Sequence, residues 1–159
     1  MMKAAKFMFV VLLLFSFAFE CRAAVEFPLA YEFKLNDLKG SEVSLSSYKD
    51  KKAVVLIFWT TYCYYCRNAL KSLQADSKSL NDLGAELLAV NVGESERRVN
   101  RFAQSFKLSL RVLLDQDASV ADHYGLLGVP TYVIINKSGR IVFSGNRFSK
   151  EKLKELAEK

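Results

Sequence analysis

At 159 residues and 51% hydrophobic, the chain has apolar material for one domain with its own core. Its net charge of +6 comes from basic residues scattered among acids. No basic stripe or run is present, which excludes nucleic acid as the expected partner.

The first stretch stands apart from the rest. Lys3 and Lys6 make a positive start, Phe7 to Phe19 is almost unbroken apolar sequence, and Glu20 is followed by the small residues Ala23 and Ala24. This is the three-part pattern of a secretory signal, and the apolar part is short for a membrane span of about 20 residues. Residues 1–23 are therefore read as a signal peptide cleaved after Ala23, or as an uncleaved N-terminal anchor, with one domain over 24–159. A lipid-modified Cys21 is disfavoured because Glu20, not a small residue, precedes it. Cleavage removes Lys3, Lys6, Arg22 and Glu20, which lowers the net charge by two to +4, an ordinary balance for solubility. The expected location is extracytoplasmic, in the periplasm or cell envelope.

After an extended start at Phe27-Pro28-Leu29, Tyr31 to Leu35 alternates apolar and polar residues as a half-buried strand does. Asn36 to Gly40 supplies turn chemistry, and Glu42 to Leu45 returns as the second arm of a hairpin. Ser46-Ser47-Tyr48 suits a short helical turn. Val54-Val55-Leu56-Ile57-Phe58-Trp59 is β-branched and aromatic with no polar alternation, so Ala53–Trp59 reads as a buried strand. A helix follows, with Leu70, Leu73, Leu80 and Leu83 on one stripe and Gly84 as its stop. The remaining expected elements are a buried strand at Glu86–Val92, a helix capped by Ser95 and running to Phe106, and a short strand at 112–114. A short helix at Ser119–Tyr124, a hairpin of strands Thr131–Ile135 and Arg140–Ser144, and a polar helix at Lys150–Lys159 complete the chain. Crossovers first and a hairpin later describe an α/β fold, a mixed central sheet flanked by helices on both faces.

Cys63-Tyr64-Tyr65-Cys66 lies at the junction of the buried strand and the first long helix. There the first sulfur meets unpaired N–H groups and the positive end of the helix dipole, which favour thiolate over the free value near 8.5. The second sulfur is one turn on. A two-residue loop removes little unfolded-state entropy, so a structural staple is a poor explanation and a redox pair a better one. Half of a zinc site is the other inert reading. Zinc wants about four ligands, and His123, otherwise a solvated helix residue, is the typical partner on offer.

The junction Trp59-Thr60-Thr61-Tyr62-Cys63-Tyr64-Tyr65-Cys66 resembles the active site of the thioredoxin superfamily. Tyr124-Gly125-Leu126-Leu127-Gly128-Val129-Pro130-Thr131-Tyr132 independently resembles the loop in which that family carries a cis-proline. Asn91-Val92-Gly93-Glu94-Ser95, the leading hairpin and the helix at 95–106 further resemble the TlpA/ResA, redoxin-like branch. The resemblance covers roughly 27–159. It implies a thioredoxin-like fold with an added N-terminal β-hairpin and a central helix insertion. It also implies an exported, monomeric thiol–disulfide oxidoreductase whose redox group is the Cys63–Cys66 disulfide, with no other cofactor and no metal. Its partners would be envelope proteins carrying disulfides, apocytochrome c among them in cytochrome c maturation, with electrons from a membrane thiol donor. Cys63 would be the nucleophile and Cys66 the resolving thiol. Pro130, in cis, would present the Val129 backbone to substrate. The rival readings are a thiol peroxidase of the redoxin branch and a redox-inactive peptide-binding module.

Several positions depart from the family pattern. Tyr62 replaces the usual tryptophan, Ile57 a buried aspartate, Ala69 a glutamate and Lys71 a proline. Both familiar carboxylates near the second thiol are thus absent. Glu94, at the carboxyl end of a strand, is one candidate substitute, though a charge at a helix entry explains it equally. Arg67 is a candidate for stabilising a thiolate, against plain helix-surface exposure. Tyr62, Tyr64 and Tyr65 would form a docking surface for an extended peptide or be loop residues with wet hydroxyls. Trp59 shapes the site or, as its strand position favours, belongs to the core.

Overall fold

The run Ala53–Trp59 forms β3, and all seven of its residues are buried. In the computed structural model, which describes residues 27–148, β3 is the middle strand of a five-stranded sheet ordered β5-β4-β3-β6-β7. The neighbours are β4 (Ala85–Val92) and β5 (Arg111–Asp115) on one side, and β6 (Thr131–Ile135) and β7 (Ile141–Gly145) on the other. β3 pairs with β4, and β4 with β5, in parallel; β3 with β6, and β6 with β7, run antiparallel. The expected mixture of crossovers and a terminal hairpin is therefore present. The signal segment at 1–23, Cys21 and the polar helix at Lys150–Lys159 lie outside the described residues.

Because side chains alternate across a strand, β3 feeds two cores. Val55, Ile57 and Trp59 meet Leu70, Leu73 and Leu80 of α1 (Tyr64–Asp82) and Val99 and Ala103 of α2 (Glu96–Phe106). Val54, Leu56 and Phe58 meet Val120 and Ala121 of α3 (Ser119–His123) together with Phe33, Val43 and Leu45 from the N-terminal hairpin. Helices cover both faces, and on the second face the hairpin shares the work. α1 ends where Gly84 takes φ +73°, a left-handed conformation open to glycine, and its N–H bonds back to Asn81 O at 2.8 Å.

The hairpin departs from its expected limits. β1 is Lys34–Asn36 and β2 is Glu42–Ser44, so the first arm starts three residues later than the alternation suggests. Tyr31 instead stacks on His123 at 3.9 Å between ring centroids, and its carbonyl accepts a hydrogen bond from the Tyr124 hydroxyl at 3.0 Å. The exposed His123 is thus covered on one side by an aromatic ring. Ser95 does occupy the N-cap position of α2, but its hydroxyl makes no capping hydrogen bond.

The parallel β3 and β4 end at the same edge of the sheet, and the antiparallel β6 begins there, since Phe58 pairs with Thr131 and Trp59 with Asn91. Three loops meet at that edge: Thr60 to Cys63, Gly93 to Ser95, and Leu126 to Pro130. Ligand sites gather at such carboxyl ends.

Candidate active site

Cys63 is the N-cap residue of α1 and Cys66 lies in its first turn. The two are joined by a disulfide. Helix geometry explains the reach: the cap residue is extended, with φ −76° and ψ 112°, and folds its sulfur over the first turn, where the N–H of Cys66 points at Cys63 Sγ from 3.1 Å. That N–H is one of the donors a helix start leaves unpaired, so on reduction it favours negative charge on Cys63. Cys66 is fully buried, whereas Cys63 is half-exposed. Cys63 is thus the sulfur of the pair that solvent reaches.

Across from the sulfur, the Val129–Pro130 peptide bond is cis and Val129 O lies 3.6 Å from Cys63 Sγ. The two segments that carry the sequence motifs, 66 residues apart, are therefore in contact. Beside them runs an open groove of about 990 Å³, walled by Tyr65, Asn68 and Ala69 of α1, by Leu127 and Pro130, and by Arg147. Ala69 stands where the related family has a glutamate, and it leaves that wall uncharged.

Tyr62, Tyr64 and Tyr65 are 71%, 69% and 74% exposed, and Leu127 is wholly exposed beside the proline. Tyr64 and Tyr65 meet edge to face at 5.7 Å, which orders both rings at the surface. Trp59 goes the other way: it is fully buried and packs on Phe102 at 5.2 Å. Ile57 is core as well, and Lys71 reaches over the Phe106 ring at 5.4 Å.

Glu94 is buried, its side chain 4% exposed, and its carboxylate faces the loop before Cys63. Oε2 accepts the Thr61 N–H at 2.7 Å and the Asn91 amide at 2.8 Å; Oε1 accepts the Thr61 hydroxyl at 2.7 Å. Arg98 approaches Oε1 at 3.6 Å. Burial pushes the Glu94 carboxyl up, but the hydrogen bonds from Asn91 and Thr61 and the Arg98 charge outweigh it and hold the group below its ordinary value. Glu94 is thus an ionised anchor of the loop. Arg67 bonds Thr61 O through Nη2 at 3.2 Å and lies over the Phe102 ring at 5.9 Å. Thr61 and Asn91 lie within the motifs that carry the resemblance, but the sequence assigned them no role. Asn91 did leave a signal, a lone amide in the apolar, mostly buried run 87–92, where an unpaired polar group is costly. Among the described residues, no group of three histidine, cysteine, aspartate or glutamate side chains could hold a metal ion.

A family model described as AhpC/TSA matches residues 28–144. The chain belongs to the AhpC/TSA family. Within this family setting it is 37% identical over 113 residues to the thiol-disulfide oxidoreductase ResA of Bacillus subtilis, covering 71% of this chain and 63% of that protein. The chain thus spans less than two thirds of that relative's length. A putative thiol:disulfide interchange protein DsbE from Chlorobium tepidum superposes with a TM-score of 0.72 at 22% identity, covering 86% of this chain and 95% of the other. The thioredoxin domain of a thiol-disulfide oxidoreductase from Bacteroides vulgatus gives 0.71 at 24%, with 85% and 97% covered. The fold of this AhpC/TSA member is therefore thioredoxin-like.

Proposed function

We propose that the protein is an exported thiol–disulfide oxidoreductase that reduces disulfides of envelope proteins through Cys63 and Cys66. One observation carries this reading: a disulfide at a helix start, with its outer sulfur 3.6 Å from the backbone oxygen of Val129 before a cis-proline. The names of the similar proteins support the same chemistry.

In the reduced protein, the Cys63 thiolate attacks one sulfur of a substrate disulfide. A mixed disulfide forms, and the other substrate sulfur leaves as a thiolate that takes up a proton. Cys66, deprotonated in turn, attacks Cys63 Sγ and releases the second substrate thiol. Two electrons have then passed to substrate and the Cys63–Cys66 bond has re-formed. A membrane thiol donor restores the dithiol, and the pair serves as the only redox group. Val129 and Pro130 give the substrate a backbone edge, and Tyr62, Tyr64 and Tyr65 give it an aromatic rim. Apocytochrome c is the candidate substrate, met outside the cytoplasm by a monomer that residues 1–23 either deliver as a cleaved signal or hold there as an uncleaved anchor.

A thiol peroxidase would need a threonine hydroxyl free beside the reacting sulfur. The Thr60 hydroxyl is buried and the Thr61 hydroxyl is committed to Glu94, which favours disulfide exchange. The test is turnover of insulin disulfides with Cys63→Ala, expected to abolish it, together with Cys66→Ala, expected to trap a mixed disulfide with envelope proteins. Undiminished reduction by Cys63→Ala overturns the reading.

A further inference from the structure

The loop that delivers Cys63 has no secondary structure of its own to hold it, yet each backbone and side-chain polar group of Thr61 is engaged. Its N–H and hydroxyl go to the two oxygens of Glu94, and its carbonyl goes to Arg67. The partners come from two different elements, the β4–α2 turn and α1, and they bear opposite charges. Glu94 is itself fixed by Asn91, whose amide also bonds Trp59 O at 3.4 Å at the end of β3. Arg67 is fixed by its cation–π contact with Phe102. A loop two residues from the nucleophile is therefore clamped between an anion and a cation that are each braced from behind.

We propose that Glu94 and Arg67 are positioning residues of the disulfide-exchange site, gripping Thr61 from two sides and setting the thiolate population of Cys63 through opposed charges. In this reading the missing carboxylates near the second thiol are not replaced in kind. The anion sits behind the first cysteine's loop, where it restrains Cys63 from becoming too acidic a thiol, and Arg67 offsets it. The contacts that hold the Glu94 carboxyl below its ordinary value agree, since they keep the group charged at neutral pH.

The charged and titratable groups around the sulfur are few. Glu94 and Arg98 come from the β4–α2 region, Arg67 and the Tyr64 and Tyr65 phenols from α1, and the Tyr62 phenol from the loop itself. The facing 126–130 segment brings carbonyl groups and no ionisable side chain, and Arg147 stands on the wall of the adjoining groove. Of these charges, Glu94 and Arg67 are the ones bonded directly to the loop that carries Cys63.

The inference rests on the proposed exchange function, but its readout does not need turnover. In a Cys21→Ala, Cys66→Ala background the single remaining thiol, Cys63, is alkylated with iodoacetamide across pH, which reports its thiolate fraction. Glu94→Gln removes the anion and is expected to raise the alkylation rate at pH 6 about threefold. Arg67→Met removes the cation and is expected to lower it about threefold, with Arg67→Lys restoring most of the loss. A loop merely loosened would shift both variants in the same direction. Opposite shifts sustain the proposal; shifts of one sign, or none, overturn it. Should Glu94→Gln fail to fold, the exposed Arg67 pair decides alone: an unchanged rate in Arg67→Met overturns the proposal. If the wild-type protein reduces no disulfide while the shifts are opposite, the proposed function fails and the clamp stands.

Discussion

Glu94 and Asp37 are each 6% exposed, each bind loop donors through their carboxylate oxygens, and each meet an arginine. Asp37 Oδ1 accepts the N–H groups of Lys39 and Ser41 at 2.9 and 3.0 Å, and Oδ2 pairs with Arg111 at 3.0 Å. In both, burial raises the carboxyl and the donors with their arginine overcome it, holding the group below its ordinary value. The difference lies in what the loop carries. Asp37 closes the turn between β1 and β2 and ties the hairpin to the edge strand β5, where it also bridges Leu113. Glu94 closes nothing; it holds the segment that ends in Cys63. The same buried-anion device serves architecture at one place and, under the proposed function, the reacting sulfur at the other.

Asp37→Ala tests this contrast with the largest expected effect. It leaves two loop N–H groups and the Arg111 guanidinium without their acceptor, a loss of about 2 kcal/mol, with Arg111's partial exposure already allowed for. Thermal unfolding should fall by roughly 8 °C for a domain of this size. Cys63 alkylation should not change. An alkylation shift in Asp37→Ala as large as that in Glu94→Gln would erase the distinction between the two carboxylates.

Acid sharpens the comparison with a smaller effect. A carboxyl whose folded value is depressed contributes stability above its unfolded value, and loses that contribution as pH falls through the folded one. Asp37 and Glu94 should therefore make the protein less heat-stable as pH drops below about 4. Asp115 acts in the opposite sense. Burial pushes it up against the N–H bonds of Ala121 and Val120, so its contribution is present at low pH and lost as pH rises. In Asp37→Asn the fall in melting temperature between pH 5 and pH 3 should be shallower than in the wild type. A melting curve equally steep in both proteins would mean that Asp37 is not held as its contacts indicate.

Much of this architecture was legible because it is local. The unbroken apolar run at 53–59 demanded a strand covered on two faces, and the step from that run to Cys63 demanded a helix start behind the sulfur. The contact between the cysteine and proline segments was legible only through the resemblance of both motifs to one family, since nothing in either segment specifies the other. What stayed hidden depends on long-range partners. Thr61 reads as one more hydroxyl in a loop until Glu94, 33 positions on, closes around it. The first hairpin arm lost Tyr31 to a stack with His123 that no alternation pattern contains. Ser95 shows the converse: the residue type suited a cap, but its hydroxyl went unused.

The exposed rim brings the smallest effect and completes the contrast between anchoring and docking. Tyr64 and Tyr65 contact each other and the surface, while Trp59, five residues before Tyr64, is sealed in the core. Aromatic rings at an exposed site contribute about 1 kcal/mol each to binding a polypeptide. Tyr64→Ala or Tyr65→Ala should therefore raise KM for a disulfide-bearing protein about fivefold, with a lesser rise for glutathione disulfide, which is too short to span the rim. Because neither ring is buried, melting temperature should move little. Equal changes in KM for the large and the small disulfide would show that the tyrosines act at the sulfurs themselves and not along the substrate chain.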